Sequence, residues 1–70
     1  MMRLKKYDHG MYTIKTTSNG RQIEIWAYAT YSPNGFVTEI TVDGVNTRET
    51  MIYNTLREIN LNLETIIQNI

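Results

Sequence analysis

The side chains that could carry out acid–base chemistry are few and widely separated in this sequence. General acid–base catalysis needs a matched set of groups, and the single histidine, His9, has only Asp8 beside it. The other acids show no spacing that would hold a metal ion with His9 or place two carboxylates around a substrate. These acids are Glu24, Glu39, Asp43, Glu49, Glu58 and Glu64. The sequence therefore predicts a protein that is not an enzyme.

Binding of a metal or of a cofactor is not indicated either. The chain has no cysteine, so it can form neither a disulfide nor a thiolate metal site. Its four glycines are accounted for by turns and strand ends, which leaves no glycine-rich loop to hold a phosphate. We predict no cofactor and no metal site.

Two aromatic residues, Trp26 and Tyr28, are the best candidates for contact with a partner. They lie two positions apart, so in a β-strand they share one face, and Trp and Tyr dominate the hot spots of protein interfaces. With Lys15 and Met11 on a neighbouring strand they form the predicted partner-binding surface. The alternative is that the two rings only cover their neighbours on adjacent strands.

The strand that carries these aromatics is predicted from two turn signals. Asn19-Gly20 indicates a hairpin, because both positions tolerate the positive φ of a type I′ turn, and residues 10–18 and 21–31 are its strands. The second signal places proline at the first central position of a turn and glycine at a left-handed exit, and residues 36–42 follow as the third strand. That signal is Ser32-Pro33-Asn34-Gly35.

The two hairpin registers agree on which residues share a face. Pairing Ser18 with Arg21 and Tyr31 with Phe36 gathers the aliphatic residues on an inner face and leaves Trp26 on an outer one. The inner set is Tyr12, Ile14, Ile23, Ile25, Ala27, Ala29, Ile40 and Val42, and the outer set adds Thr13, Glu24, Val37, Glu39 and Thr41 to the predicted partner-binding residues.

A long helix over residues 47–69 is predicted to cover the inner face. Asn46-Thr47-Arg48-Glu49 has the form of a capping box, and apolar residues then recur at steps of four and three. These are Ile52, Leu56, Ile59, Leu63, Ile66 and Ile70. The alternative is a break at Asn60-Leu61-Asn62, where the pattern alternates as in a short strand.

A helix of that length should extend past the sheet and leave its last turns uncovered. We predict that these turns mediate a homodimer or contact a larger host protein. The predicted dimerisation residues are Leu63, Ile66, Ile67 and Ile70.

Length and charge complete the prediction. Seventy residues suit a single domain, 1–70. Residues 1–8 form a basic segment in which no strand is predicted, and one interpretation is that this segment is flexible. Five of the seven basic residues lie in the first 21 positions, which raises the alternative of a nucleic-acid-binding regulator that uses the basic amino-terminal segment and the outer sheet face. Its contacts would be Arg3, Lys5, Lys6 and Arg21. No signal peptide or membrane-spanning segment is indicated, so we expect a cytoplasmic protein that does not bind membranes.

The sequence as a whole predicts an α+β domain, with a three-stranded antiparallel meander followed by one long carboxy-terminal helix in βββα order. The predicted function is that of a small non-catalytic binding module, a homodimeric interaction or inhibitor protein of the kind that phage and mobile elements encode. Besides nucleic acid, a small molecule held at a dimer interface is a further alternative.

Overall fold

The computed structural model describes residues 2–70, which form an antiparallel sheet of six strands and a helix of 13 residues. The predicted fold of three strands and one long helix is therefore wrong, and the protein is mostly β. The elements are β1 (Lys5–Asp8), β2 (Met11–Ser18), β3 (Arg21–Tyr31), β4 (Asn34–Val42), β5 (Val45–Asn46), β6 (Ile52–Tyr53) and α1 (Leu56–Gln68). Neighbouring strands in the sheet follow the order β1-β2-β3-β4-β5, and β6 also pairs with β4.

β2 and β3 form the hairpin that the sequence predicts. Asn19 and Gly20 make the turn with φ angles of 53° and 76°, the positive values that a type I′ turn requires. Ser18 pairs with Arg21 across it, so the predicted register of this hairpin is confirmed.

The second hairpin has a shorter turn than predicted. Tyr31 pairs with Asn34, so only Ser32 and Pro33, joined by a cis peptide bond, lie between β3 and β4. The predicted pairing of Tyr31 with Phe36 is wrong by two residues, because Pro33 takes the second central position of the turn. A shift of two residues keeps every side chain on its own face, so the predicted inner and outer faces are retained.

β1 is a strand that the turn signals do not predict. It pairs antiparallel with β2, with Lys5 opposite Thr13 and a bulge in its second half. Just before it, Leu4 is buried, and its N–H donates to Asn60 Oδ1 of α1 at 2.8 Å. A strand of four residues with two lysines has little apolar alternation, and the contacts that hold it come from distant parts of the chain.

Residues 45–53 run along β4 as two short strands where the sequence predicts the start of the helix. Thr47 N–H donates to the Ile40 carbonyl and Thr38 N–H to the Met51 carbonyl, so residues 48–50 bulge out between β5 and β6. The predicted capping box does not form, because Asn46 Oδ1 instead accepts the N–H two residues on, at 2.7 Å. The helix prediction over residues 47–55 is wrong.

β6 approaches β4 at a glycine. A Cβ at position 35 would meet the Tyr53 carbonyl oxygen at 2.7 Å, so Gly35 permits this close pairing. Gly35 therefore serves strand contact inside β4 rather than the predicted left-handed exit from a turn. Ile52, predicted to face the core, is 79 % exposed on the outer side of this strand.

α1 begins immediately after Thr55, whose Oγ1 accepts a hydrogen bond from the Glu58 N–H at 3.2 Å. Thr55 and Glu58 have the capping-box spacing, so the helix uses a second such signal further along the chain. The helix continues through residues 60–62, so the alternative of a break there is wrong. At about 1.5 Å per residue it is roughly 20 Å long, which the sheet can cover.

The core lies between α1 and the inner face of the sheet. Ile59 and Leu63 of the helix are fully buried, so the predicted extension of the helix past the sheet is wrong. The buried apolar residues are Leu4, Ile23, Ile25, Ala27, Ile40, Ile59, Leu63 and Ile67. Within residues 2–70, no helix combines the length and the apolar character needed to cross a membrane.

Candidate functional site

The outer face of the sheet is an exposed or half-buried surface with no helix packed on it, since α1 occupies the other side. One row of apolar side chains crosses four strands on this face: Met11, Tyr28, Val37 and Ile52. A second row runs through Lys5, Thr13, Trp26 and Glu39, and a third through Lys15, Glu24 and Thr41. We call these residues, together with Tyr7, the outer face.

An aromatic cluster lies at the centre of the outer face. Tyr7 and Trp26 meet edge to face, with ring centroids 5.0 Å apart and planes at 79°. Trp26 and Tyr28 lie with nearly parallel planes and centroids 6.1 Å apart. Since Tyr7 belongs to β1 and Trp26 to β3, the Tyr7 ring extends over the intervening strand β2. Such offset and edge contacts are the preferred aromatic geometries and favour a defined position for each ring.

Two carboxylates flank the aromatic cluster. The Trp26 indole Nε1–H donates to the Glu24 carboxylate, which fixes the orientation of the indole ring. Glu39 lies directly opposite Trp26 on the neighbouring strand. Burial, together with the negative charges of Glu39 and Glu24, raises the pKa of Tyr28 above its usual value, so its phenol is harder to ionise than that of a free tyrosine.

The four predicted partner-binding residues all lie on the outer face. Met11 stands opposite Tyr28, and Lys15 stands opposite Glu24 one row beyond Trp26. Because the second hairpin is shifted, Trp26 neighbours Glu39, whereas the predicted register pairs it with Thr41.

Three outer-face residues, Lys5, Tyr7 and Ile52, are absent from the predicted outer face. All three belong to strands that the turn signals do not predict. The β-branched Ile52 and the adjacent Tyr53 are a signal for a strand at residues 52–53. Ile52 also fits the helical spacing, which obscures that signal.

The predicted dimerisation residues of α1 do not form an exposed stripe. Leu63 is fully buried and Ile67 is 8 % exposed, both within the core. Ile66 and Ile70 are half-buried and pack against that core. Their assignment to self-association stays a prediction, but the exposure on which it was based is not present.

The predicted nucleic-acid contacts are spread over different surfaces. Arg21 donates from its guanidinium to the Ile70 carbonyl at 2.8 Å beside α1. Lys5 lies on the outer face, whereas Lys6 pairs with Tyr12 of the inner row. Arg3 lines a groove of about 620 Å³ between the amino-terminal segment and the start of α1. Arg3, Lys6 and Arg21 thus lie on the helix side of the sheet, with Arg3 near the start of α1 and Arg21 beside its end. Lys5 lies apart from them on the outer face.

The candidates for catalysis and metal binding are also dispersed. His9 is exposed in the turn between β1 and β2, and its backbone N–H donates to Asp8 Oδ1 at 2.7 Å. Among the described residues, no three His, Asp or Glu side chains are grouped so that they could hold a metal ion. A groove of about 560 Å³ lies between residues 48–51 and α1, lined mainly by threonine, asparagine and aliphatic side chains with Arg48 and Glu49 at its edge.

Comparison of the chain with protein-family models, with curated proteins and with solved structures finds no match. The geometry of the outer face is therefore the basis for any functional assignment.

Proposed function

We propose that this chain is a non-catalytic binding module that uses the outer face as its interaction surface. The observation that carries the proposal is the aromatic cluster of Tyr7, Trp26 and Tyr28, displayed beside an apolar row on a sheet face with no helix over it. Interface hot spots are enriched in Trp and Tyr at the centre of the contact, with polar groups around them. The outer face has this composition, with Glu24, Glu39, Lys5 and Lys15 around the rings.

The degree of exposure supports a role in binding over simple coverage of the sheet. Tyr7 is 67 % exposed and Ile52 is 79 % exposed, although each adjoins half-buried apolar neighbours on the same face. Scattered apolar residues at a surface need no explanation, but a contiguous apolar patch with a polar rim is characteristic of an interaction site.

The other predicted roles receive less support from the geometry. Nucleic-acid binding requires several cations close together on one surface, and the candidates are divided among the outer face, the start of α1 and the end of α1. An inhibitor role of the phage or mobile-element type stays a prediction from composition. We also propose a cytoplasmic location, because the sequence contains no cysteine.

A site-specific photo-crosslinker tests the proposal directly. A benzophenone side chain replaces Met11 on the outer face in one variant and the exposed Leu61 of α1 in a matched control. We expect the Met11 variant to give crosslinked adducts in cells that make the protein, and the Leu61 variant to give none. Circular dichroism verifies that both variants fold. If Met11 gives no adduct, or no more than Leu61, the outer face is not the interaction surface.

A further inference from the structure

Two lysines and two glutamates of the outer face are arranged symmetrically about the line between β2 and β3, and Asp8, opposite Met11, stands outside this pattern. Lys15 on β2 and Glu24 on β3 stand directly opposite each other across this line. One strand further out, Lys5 on β1 and Glu39 on β4 occupy the same row, at equal distances on either side. Each lysine on the β1–β2 side thus has a glutamate at the mirror position on the β3–β4 side.

This arrangement is self-complementary under one particular two-fold rotation. Two copies can stack with their outer faces together, related by a two-fold axis that runs parallel to the strands above the line between β2 and β3. This rotation places the β1–β2 side of one copy over the β3–β4 side of the other. Lys15 then faces Glu24 of the second copy, and Lys5 faces Glu39 of the second copy. Stacked sheets lie about 10 Å apart, a gap that an extended lysine and a glutamate can bridge together.

The apolar residues obey the same symmetry. The Tyr7 ring extends over β2 and Trp26 lies on β3, so the rotation brings Tyr7 against Trp26 of the second copy at the centre of the contact. Met11 and Tyr28, which stand opposite each other, likewise face one another between copies. Hot-spot aromatics that meet hot-spot aromatics beneath a charged rim are typical of specific interfaces.

We infer that the occupant of the outer face is a second copy of this chain, stacked sheet to sheet about this axis. The inference rests on the proposed function, whose interaction surface it uses. The other two-fold axis in the plane of the face, perpendicular to the strands along the Trp26 row, would set Lys5 against itself and Glu39 against itself. Like charges opposed in this way disfavour that arrangement.

The area of the outer face is sufficient for such a dimer. Strands β1 to β4 together contain 32 residues and cover about 500 Å² in projection, or about 1,000 Å² for two copies, which reaches the lower bound for a specific interface. The accessible surface of the chain is 5071 Å², whereas a folded monomer of this mass has about 4,500 Å². The chain thus exposes about 500 Å² more than a compact monomer of its mass does.

Trp26 offers a direct readout, because it is the only tryptophan in the chain and lies at the centre of the inferred contact. We expect light scattering to give twice the monomer mass of 8.2 kDa at high concentration. On dilution, the mass should fall and the Trp26 emission should shift to longer wavelength over the same concentration range. A dimer that dissociates without any change in Trp26 emission would contradict the inference.

Charge reversal tests the axis itself. An acidic variant carries Lys5→Glu and Lys15→Glu, and a basic variant carries Glu24→Lys and Glu39→Lys. Each variant alone opposes like charges at four positions, so we expect its self-association to weaken by about a hundredfold. An equimolar mixture restores opposite charges at all four positions, and we expect a 1:1 heterodimer with a dissociation constant near that of the unmodified homodimer.

Matched controls reverse the same number of charges away from the outer face. Lys6→Glu with Arg57→Glu, and Glu49→Lys with Glu64→Lys, alter exposed residues and should leave the homodimer intact. If these controls weaken association as much as the outer-face variants do, or if the mixture fails to form a heterodimer, the inferred axis is wrong. A monomer whose Met11 crosslinker captures a different protein would overturn the second copy as occupant but preserve the proposed function. A monomer with no Met11 adduct would overturn both.

Discussion

The two faces of the sheet use the same strands but differ in composition and in what covers them. The inner face presents aliphatic residues such as Ile23 and Ile25, which are at most 1 % exposed beneath α1. The outer face presents aromatic rings with carboxylates and lysines around them, and α1 does not reach it. Aliphatic side chains suit permanent burial, whereas aromatic rings with a polar rim suit contact that forms and separates in water. One face therefore builds the core of the fold, and the other is left uncovered by α1.

The largest expected effect comes from truncating isoleucine on each face. Ile25→Ala removes a fully buried side chain from the centre of β3 and should lower the free energy of unfolding by about 2–5 kcal/mol. Ile52→Ala removes the same group from the outer face, where it is 79 % exposed, and should change it by no more than about 0.5 kcal/mol. Urea unfolding at one low protein concentration measures both changes.

A milder variant keeps this comparison decisive if Ile25→Ala does not fold. Ile25→Val should lower the free energy of unfolding by about 0.5–1.5 kcal/mol. Equal losses at positions 25 and 52 would show that the outer face is as important for the fold as the inner one, and would break the distinction between them.

A smaller effect is expected from the cap of the helix that covers the inner face. Thr55→Ala removes the oxygen that accepts the Glu58 N–H and should lower the free energy of unfolding by about 1 kcal/mol. Thr55→Ser retains a hydroxyl at that position and should cost less. Because α1 contacts only the inner face, the dimer dissociation constant of folded Thr55→Ala protein should be unchanged. Thermal unfolding measures the stability, and light scattering measures the dimer dissociation constant. If Thr55→Ala weakened the dimer, the two faces of the sheet would not be independent.

Local signals determined how much of this fold the sequence predicts. Asn19-Gly20 fixes both the turn and the register of β2 and β3, since its backbone conformation is specified by the two residues themselves. Proline is compatible with either central position of a turn, and Pro33 takes the second rather than the predicted first. The predicted register of β4 against β3 is therefore wrong by two residues. Because strand side chains alternate with a period of two, the faces were nevertheless assigned correctly, and the four predicted partner-binding residues lie together.

The regions that sequence reasoning missed are those that depend on contacts between distant residues. Two capping-box patterns, at Asn46 and at Thr55, compete for the start of the helix, and only the second is used. The first gives way because residues 45–53 pair along β4, with Gly35 providing room for β6. Neither this pairing nor the attachment of β1 is visible in local periodicity. The mirror arrangement of lysines and glutamates likewise depends on β1, and so requires the three-dimensional sheet.

The smallest predicted effect concerns Tyr28, the outer-face aromatic whose pKa is raised by burial and by the charges of Glu39 and Glu24. The folded protein holds the phenol proton more tightly than the unfolded chain does. The resulting stability is fully present below the unfolded pKa of about 10 and is lost as the pH rises through the higher folded pKa. Tyr28→Phe lacks this proton, so unmodified protein should lose more stability than the variant as the pH rises above about 10. Urea midpoints across that range measure the difference, and Glu39→Gln should reduce it by removing one of the two charges. Identical pH profiles for the unmodified protein and Tyr28→Phe would mean that neither burial nor the charges of Glu39 and Glu24 raise the pKa of Tyr28 on the outer face.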